Sequence, residues 1–279
     1  MSDPEYSVFG ASGFIGSALV SNLRRKGRRV CAIGRNGDIS GPELRKSLGH
    51  AIFAIGVTAD FRTRPFDTID AHVAQINSLL REGDFASLTY LSSTRVYQGS
   101  ASTAEGGPLV VAPASPNDLY NISKIAGESI CLSCGRPNVR VARLSNVVGT
   151  GAGQQAFVDQ LLREGLARGV VAPRDHPESS KDYIALDDVL RLVELISERG
   201  RETIYNVASG EQTSHREVAE LIAGETGWRA EFDWTAPRID FPPIDTNRIR
   251  AEFGVLPRAF TAYFLSHVRA FIGAAKGRS

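Results

Sequence analysis

The chain of 279 residues is poor in sulfur, with three cysteines and one methionine, and it carries only two tryptophans. An odd number of cysteines, with Cys131 and Cys134 three apart in a helix-like run, suits buried thiols in a reducing compartment. Cys131-x-x-Cys134 has no second pair and the five histidines are scattered, so no metal site is expected. No run of about 18 apolar residues occurs, which excludes a membrane-spanning helix. Met1 to Glu5 is polar and acidic ahead of a strand at Tyr6, so no signal peptide is read and a cytoplasmic location is expected. Charge of one sign is lacking too: the net charge is +1 and the pI about 7.8. Without a global basic field, nucleic acid and anionic membrane are not expected partners. Internal repeats, low-complexity tracts and long linkers are absent.

What is present is a globular composition, 42% apolar, at a length suited to one large α/β domain or a domain plus a lobe. Tyr120-Asn121-Ile122-Ser123-Lys124 opens a helix-compatible run, and residues i and i+4 share a helix face. An ammonium beside a phenol favours the phenolate, so this spacing predicts a tyrosine with a lowered pKa that gives and takes a proton. A surface i,i+4 contact explains the same spacing, and the reading draws its weight from two other stretches.

The first stretch is Tyr6-Ser7-Val8-Phe9, a strand that breaks into Gly10-Ala11-Ser12-Gly13-Phe14-Ile15-Gly16 and then a helix from Ser17 to Arg25. Glycines there permit a tight turn and the approach of a pyrophosphate to free N–H groups at the helix's positive end. The spacing is G-x-x-G-x-x-G, and a purely structural turn is the alternative. Arg29 to Ile33 reads as a second strand ending in Gly34-Arg35. An Arg at that place accommodates a 2′-phosphate where a carboxylate would hold a free 2′-hydroxyl, so Arg35 favours NADP over NAD, with a solvated surface Arg as the alternative. The third strand, Ala51 to Ile55, follows a compressed connection, helix-like around Glu43 to Leu48, and leads to Gly56-Val57-Thr58, where a cofactor lies in an open parallel sheet.

The second stretch is Ser87 to Leu91, a buried strand after a helix from Phe66 to Leu80, ending in Ser92-Ser93-Thr94-Arg95. Ser93 is the hydroxyl expected against a reacting oxygen, or else a turn-capping serine. Ser100 to Pro116 is long enough to serve as a lid or binding loop. Val139 to Leu144 continues the strand–helix alternation, which argues a doubly wound sheet. Beyond Thr150 come a helix from Gln155 to Ala167, a helix after Asp187-Asp188, the strand Thr203 to Val207 and a capping box at Ser214 and Glu217. A Pro-rich Pro237 to Pro257 and a closing helix, Phe260 to Ala275, complete a lobe.

With these residues in order, the chain resembles the extended short-chain dehydrogenases, specifically the NAD-dependent epimerase/dehydratase group that acts on nucleotide sugars. The elements are Gly10-x-x-Gly13-x-x-Gly16, Ser92-Ser93-x-x-Val96-Tyr97, Tyr120-x-x-x-Lys124 with Glu128, Arg143-x-x-Asn146-x-x-Gly149, Lys181-Asp182-Tyr183-Ile184 with Asp187-Asp188, and Tyr205-Asn206-Val207-Ala208. The resemblance implies a Rossmann domain over 1–149, rejoined by 182–208, and a smaller C-terminal substrate lobe over 150–181 and 209–279. It implies a dinucleotide against Gly10, Ser12, Gly13, Phe14, Ile15, Gly16, Ile55, Gly56, Tyr120 and Lys124, with Asp38 near the adenine. Tyr120 is implied as acid/base, Lys124 as holding the nicotinamide ribose and lowering the Tyr120 pKa, and Ser93 as bonding the sugar oxygen. Thr94, Arg95 and Asn146 are implied on the substrate, and Lys181 and Arg238 on its diphosphate.

The departures narrow the activity. Dehydratases of the family carry Asp-Glu where this chain has Thr94-Arg95, which removes sugar 4,6-dehydration. The Lys124-Ile125-Ala126-Gly127 run resembles GDP-fucose synthases, yet Arg95 stands where those have Cys, against 3,5-epimerisation. His72 replaces an Asn near the catalytic groups. A nucleotide-sugar 4-ketoreductase or 4-epimerase is implied, using NADP or NAD, and pairing of two chains through the Tyr-Lys helix. The rivals are a dinucleotide-binding protein without turnover and a reductase of a non-sugar carbonyl, in which Lys181 and Arg238 would not converge on one pocket.

Overall fold

Successive residues of a strand face opposite sides of its sheet, and in this chain both sides are apolar. In the computed structural model, which describes residues 5–34, 46–57, 60–150 and 157–277, the elements are β1 (Tyr6–Phe9), α1 (Phe14–Arg25), β2 (Val30–Ile33), β3 (His50–Phe53), α2 (Pro65–Ile69), α3 (Gln75–Glu82), β4 (Ser87–Ser93), α4 (Leu119–Ser133), β5 (Val139–Leu144), β6 (Asn146–Val148), α5 (Phe157–Arg168), β7 (Val170–Val171), β8 (Ser180–Ala185), α6 (Leu186–Arg199), β9 (Ile204–Val207), β10 (Gln212–Ser214), α7 (His215–Thr226), β11 (Arg229–Ala230), α8 (Asn247–Phe253) and α9 (Phe260–Lys276).

Six strands form one parallel sheet in the order β2-β1-β3-β4-β5-β9. Tyr6, Val8, Ile52, Leu91 and Leu144 face α1 and α6, meeting Leu19, Leu23, Val189 and Ile196. Phe9, Ala51, Phe53, Tyr90 and Val141 face the other way, against Ile76 and Leu79 of α3 and Cys131 of α4. This is the expected doubly wound α/β architecture, with the order reversing between β1 and β3. Ligands of open α/β sheets lie outside the carboxyl ends of the strands at such a reversal.

Helices α2 and α3 are one run, Pro65 to Glu82, interrupted by a π-helical turn over Asp70–Ala74. The expected plain helix missed this, because one extra residue per turn leaves the apolar pattern of α3 intact. The turn frees the His72 carbonyl, which accepts the Tyr90 hydroxyl at 3.1 Å. Helix α4 packs closely on that spot, since a side chain at Gly127 would collide with both groups.

A second core gathers Val148, Leu161, Leu162, Tyr183, Val218, Ile222 and Phe264 from β6, α5, β8, α7 and α9, around a small sheet ordered β10-β8-β6. The capping box of α7 forms as expected from Ser214 and Glu217. Helix α8 sits within the Pro-rich stretch and returns Ile249 to the main core.

Three other expectations need amendment. Lys46 to Leu48 is not helical: Ser47 bridges to Asp84, and the rest of that segment, with Asp38, lies outside the described residues. The loop from Ser100 to Pro116 is anchored at its start, where Thr103 binds Pro243 and Asp245 and Glu105 is buried, while most of the stretch beyond is exposed or half-buried. Of the thiols, Cys131 is buried and Cys31 exposed. Among the described residues no helix is long and apolar enough to cross a membrane, and no metal-binding cluster forms.

Candidate active site

Three chain crossings meet at the carboxyl ends of β1, β3 and β4 and enclose a cavity of about 740 Å³. The cavity is lined by Gly13, Phe14 and Ile15 of the glycine turn, by Ala54, Ile55 and Gly56 after β3, by Ser93, Thr94, Arg95, Tyr120 and Lys124, and by Asn146, Arg174 and Lys181. Gly10 and Gly16 shape the turn from behind. Gly10 has φ +82° and its missing Cβ leaves room for Ala54, 2.8 Å away, while a Cβ at Gly16 would strike the Gly10 carbonyl. Ser12 is exposed on the turn.

Ser93 ends β4, and its Oγ accepts the Arg95 N–H at 3.2 Å. That leaves the hydroxyl proton for the Tyr120 phenol, to which Ser93 is hydrogen-bonded. The Tyr120 ring is 7% exposed, with Phe61 at 5.7 Å, His72 edge-on at 5.4 Å and the Arg95 guanidinium at 5.5 Å. Burial pushes its pKa up, against the Ser93 hydrogen bond and the Arg95 charge, which pull it down. The lowered phenol pKa expected from Lys124 is therefore not what the structure shows. Desolvation outweighs both favourable partners, and the cation acting on the phenol is Arg95.

Lys124 turns its ammonium inward, donating to the Leu91 carbonyl at 2.9 Å, and a Cβ on Gly56 would lie 3.5 Å from its Nζ. Burial lowers its pKa to about 8, with the Glu128 charge opposing. His72 is wholly buried and neutral, its pKa lowered to about 2 by burial and then by Lys124. The Val57 N–H donates to His72 Nε2 at 3.2 Å, so Nδ1 bears the proton and donates to Ser123 Oγ at 2.8 Å; Ser123 donates on to the Tyr120 carbonyl at 2.9 Å. This chain ties the segment after β3 to the first turn of α4. Phe61 and Arg62 also line the cavity and carried no sequence signal, because they come from a loop whose place is set by contacts with α4.

Residues 6–208 match the family described as NAD dependent epimerase/dehydratase. The chain belongs to that family. GDP-6-deoxy-D-mannose reductase of Pseudomonas aeruginosa is 31% identical over 196 residues, covering 65% of this chain and 64% of the reductase, so the match spans less than two thirds of that relative's length. Among solved structures, MoeE5 in complex with UDP-glucuronic acid and NAD superposes with a TM-score of 0.82 at 23% identity, over 98% of this chain and 100% of that one. RMD from Pseudomonas aeruginosa complexed with NADPH gives 0.76 at 23% identity, over 98% and 99%. At these identities the likeness shows the shared fold.

In this epimerase/dehydratase-family chain, Asn146 lines the cavity while its amide donates to the Asp182 carbonyl at 2.9 Å. Lys181 also lines it, with its ammonium 5.2 Å from the Phe157 ring. Arg238 does not join Lys181: it is more than half exposed and pairs with Asp240 two residues on, at 2.8 Å. Arg174 lines the cavity too, but it is exposed and held by Glu164 at 2.9 Å, and Asp175, also in the lining, acts on Lys181. Arg35 and Asp38 lie outside the described residues.

The Lys124 shift predicts a pH dependence. Its folded pKa of about 8 lies below the 10.5 of a free lysine, so between these values the unfolded chain holds more protons and stability from this group rises with pH. Urea unfolding of wild type and Lys124→Met should show wild type gaining on the variant across that window. A difference independent of pH would contradict the buried, charged lysine.

Proposed function

We propose that this protein is an NAD(P)-dependent oxidoreductase or epimerase moving a hydride at a sugar carbon of a nucleotide sugar, of 4-ketoreductase or 4-epimerase type. The observation that carries the reading is that Ser93, Tyr120 and Lys124 line one cavity together with the glycine turn, with the Ser93 hydroxyl acting on the phenol. The residues present fit a dinucleotide. The N-cap Gly13 brings no side chain to the first-turn N–H groups of α1, and Gly13, Phe14 and Ile15 line the cavity. Bound there, the nicotinamide supplies or accepts the hydride.

The chain's own groups do the rest. Amides of Phe14 and Ile15, in the first turn of α1, meet a pyrophosphate at the positive helix end, while the Gly13 N–H holds the Gly10 carbonyl. Lys124 is placed to hold ribose hydroxyls beside Gly56. Ser93 donates to the substrate oxygen and Tyr120 passes it a proton, both opposing the charge that builds there in the transition state. A phenol held protonated by burial suits the donor role, which is the direction of carbonyl reduction. Thr94 and Arg95 supply neither carboxylate that sugar 4,6-dehydration needs. We assign 150–181 and 209–279 to the substrate, with Asn146 and Lys181 lining the cavity on its behalf.

Reduction of a non-sugar carbonyl is the second reading, favoured by the separation of Arg238 from Lys181. Lys181 shares the cavity with Arg95, and both are cations that suit a diphosphate, which keeps the nucleotide sugar ahead. The experiment is to titrate NADPH and NADH by fluorescence and then follow their oxidation with keto-sugar nucleotides. Arg35 leads us to expect NADPH to bind about tenfold tighter, the worth of one charge-assisted hydrogen bond. A preference for NADH would remove the NADP reading, and oxidation by simple ketones but by no keto-sugar nucleotide would install the rival.

A further inference from the structure

Arg95 acts on the Tyr120 phenol through its charge, but the proposed reaction gives its hydrogen-bond donors nothing to hold. Its Nε is buried without a hydrogen-bond partner, its Nη2 reaches the Asn117 carbonyl at 3.4 Å, and Asp118 acts on it through charge without hydrogen-bonding to it. The guanidinium lies over two rings, Phe61 at 5.2 Å and Tyr120 at 5.5 Å. Ring faces offset part of the cost of burying a cation, but a hydrogen-bonding anion is what such a group normally finds. Arg62, itself above Phe61 at 4.5 Å, adds a second positive charge to the same lining.

The place of Arg95 tells which part of a substrate would supply the anion. Ser93 and Tyr120 bind the oxygen of the reacting carbon, and Arg95 begins two residues after Ser93 and stacks on the Tyr120 ring. A group on the carbon next to the reacting one falls beside Arg95; Lys181, near enough for the Arg95 charge to act on it, lines the same cavity, so the test must tell a carboxylate from the diphosphate.

Resting on the nucleotide-sugar reading, we propose that the sugar carries a carboxylate on the carbon adjacent to the reacting one, a nucleotide uronate, and that Arg95 binds it. Arg95 is then the residue that separates acidic from neutral sugars.

The test uses the full chain loaded with NAD⁺ or NADP⁺ and two ligand pairs, UDP-glucuronate with UDP-glucose and GDP-mannuronate with GDP-mannose. Members of a pair share nucleotide and diphosphate and differ only in that substituent. Calorimetry should show the uronate of at least one pair binding about tenfold or more tightly than its neutral partner, the worth of a charged hydrogen bond. Arg95→Met should bring that ratio to within about twofold, with the dinucleotide bound as in wild type to show an intact fold, and Arg95→Lys should keep part of it. Equal or better binding of the neutral sugars overturns the proposal, as does a preference that survives Arg95→Met. Equal weakening of both members would move Arg95 to the diphosphate and also overturn it. If neither member of any pair binds, the nucleotide-sugar reading itself falls and takes this inference with it.

Discussion

Tyr120→Phe is expected to lower turnover about 10²- to 10⁴-fold, the usual worth of a positioned proton donor, while dinucleotide affinity changes by less than about twofold, under half a kcal/mol. The ring keeps its contacts with Phe61, His72 and Arg95, so fold and cavity survive. Only the hydroxyl goes, and with it the group that shares a hydrogen bond with Ser93. Single-turnover oxidation of NAD(P)H beside a fluorescence titration separates the two effects. Turnover within about threefold of wild type, or less than 1 kcal/mol in the barrier, would sink the role given to Tyr120. A large loss of cofactor affinity would instead make the tyrosine a structural part of the dinucleotide cradle.

The sheet could be read from sequence because its information is local. β1, the glycine turn and α1 follow one another within twenty residues, and the i,i+4 spacing of Tyr120 and Lys124 needs only a helix to put both on one face. What escaped depends on residues far apart in the chain. The direction of the Tyr120 shift is set by burial beneath Phe61 and His72, which no spacing encodes. The π-turn at Asp70–Ala74 hides because the pattern on either side stays helical. Arg238 was expected in the cavity, yet Asp240, two residues on, gives it a nearer partner. His72 was visible as an unusual residue, but its tautomer became readable only once Val57 and Ser123 were seen on opposite ring nitrogens.

Removing Glu128 should cost more stability than any other single change considered above, about 3–5 kcal/mol, as expected when one member of a buried ion pair is deleted. Glu128 lies one turn beyond Lys124 on α4, and Arg143 faces it from β5 with Nη2–Oε2 at 2.6 Å and Nε 3.1 Å from both carboxylate oxygens. Both side chains are 3% exposed. Ser92 donates to the same carboxylate, and Arg143 Nη1 continues to the Tyr97 hydroxyl at 2.6 Å, which donates to Asn206 at 2.8 Å. The network thus fastens the helix bearing Tyr120 and Lys124 to β4, β5 and β9. In Glu128→Ala the guanidinium stays buried without its anion, whereas Glu128→Met with Arg143→Met removes both charges. Urea unfolding should therefore show the double variant losing at least 1 kcal/mol less than the sum of the single losses, since residues in one network do not act additively. A Glu128→Ala loss under about 1 kcal/mol, the range of an exposed pair, would mean that water reaches Arg143 and that the helix carrying the proposed catalytic groups is held by its apolar face alone.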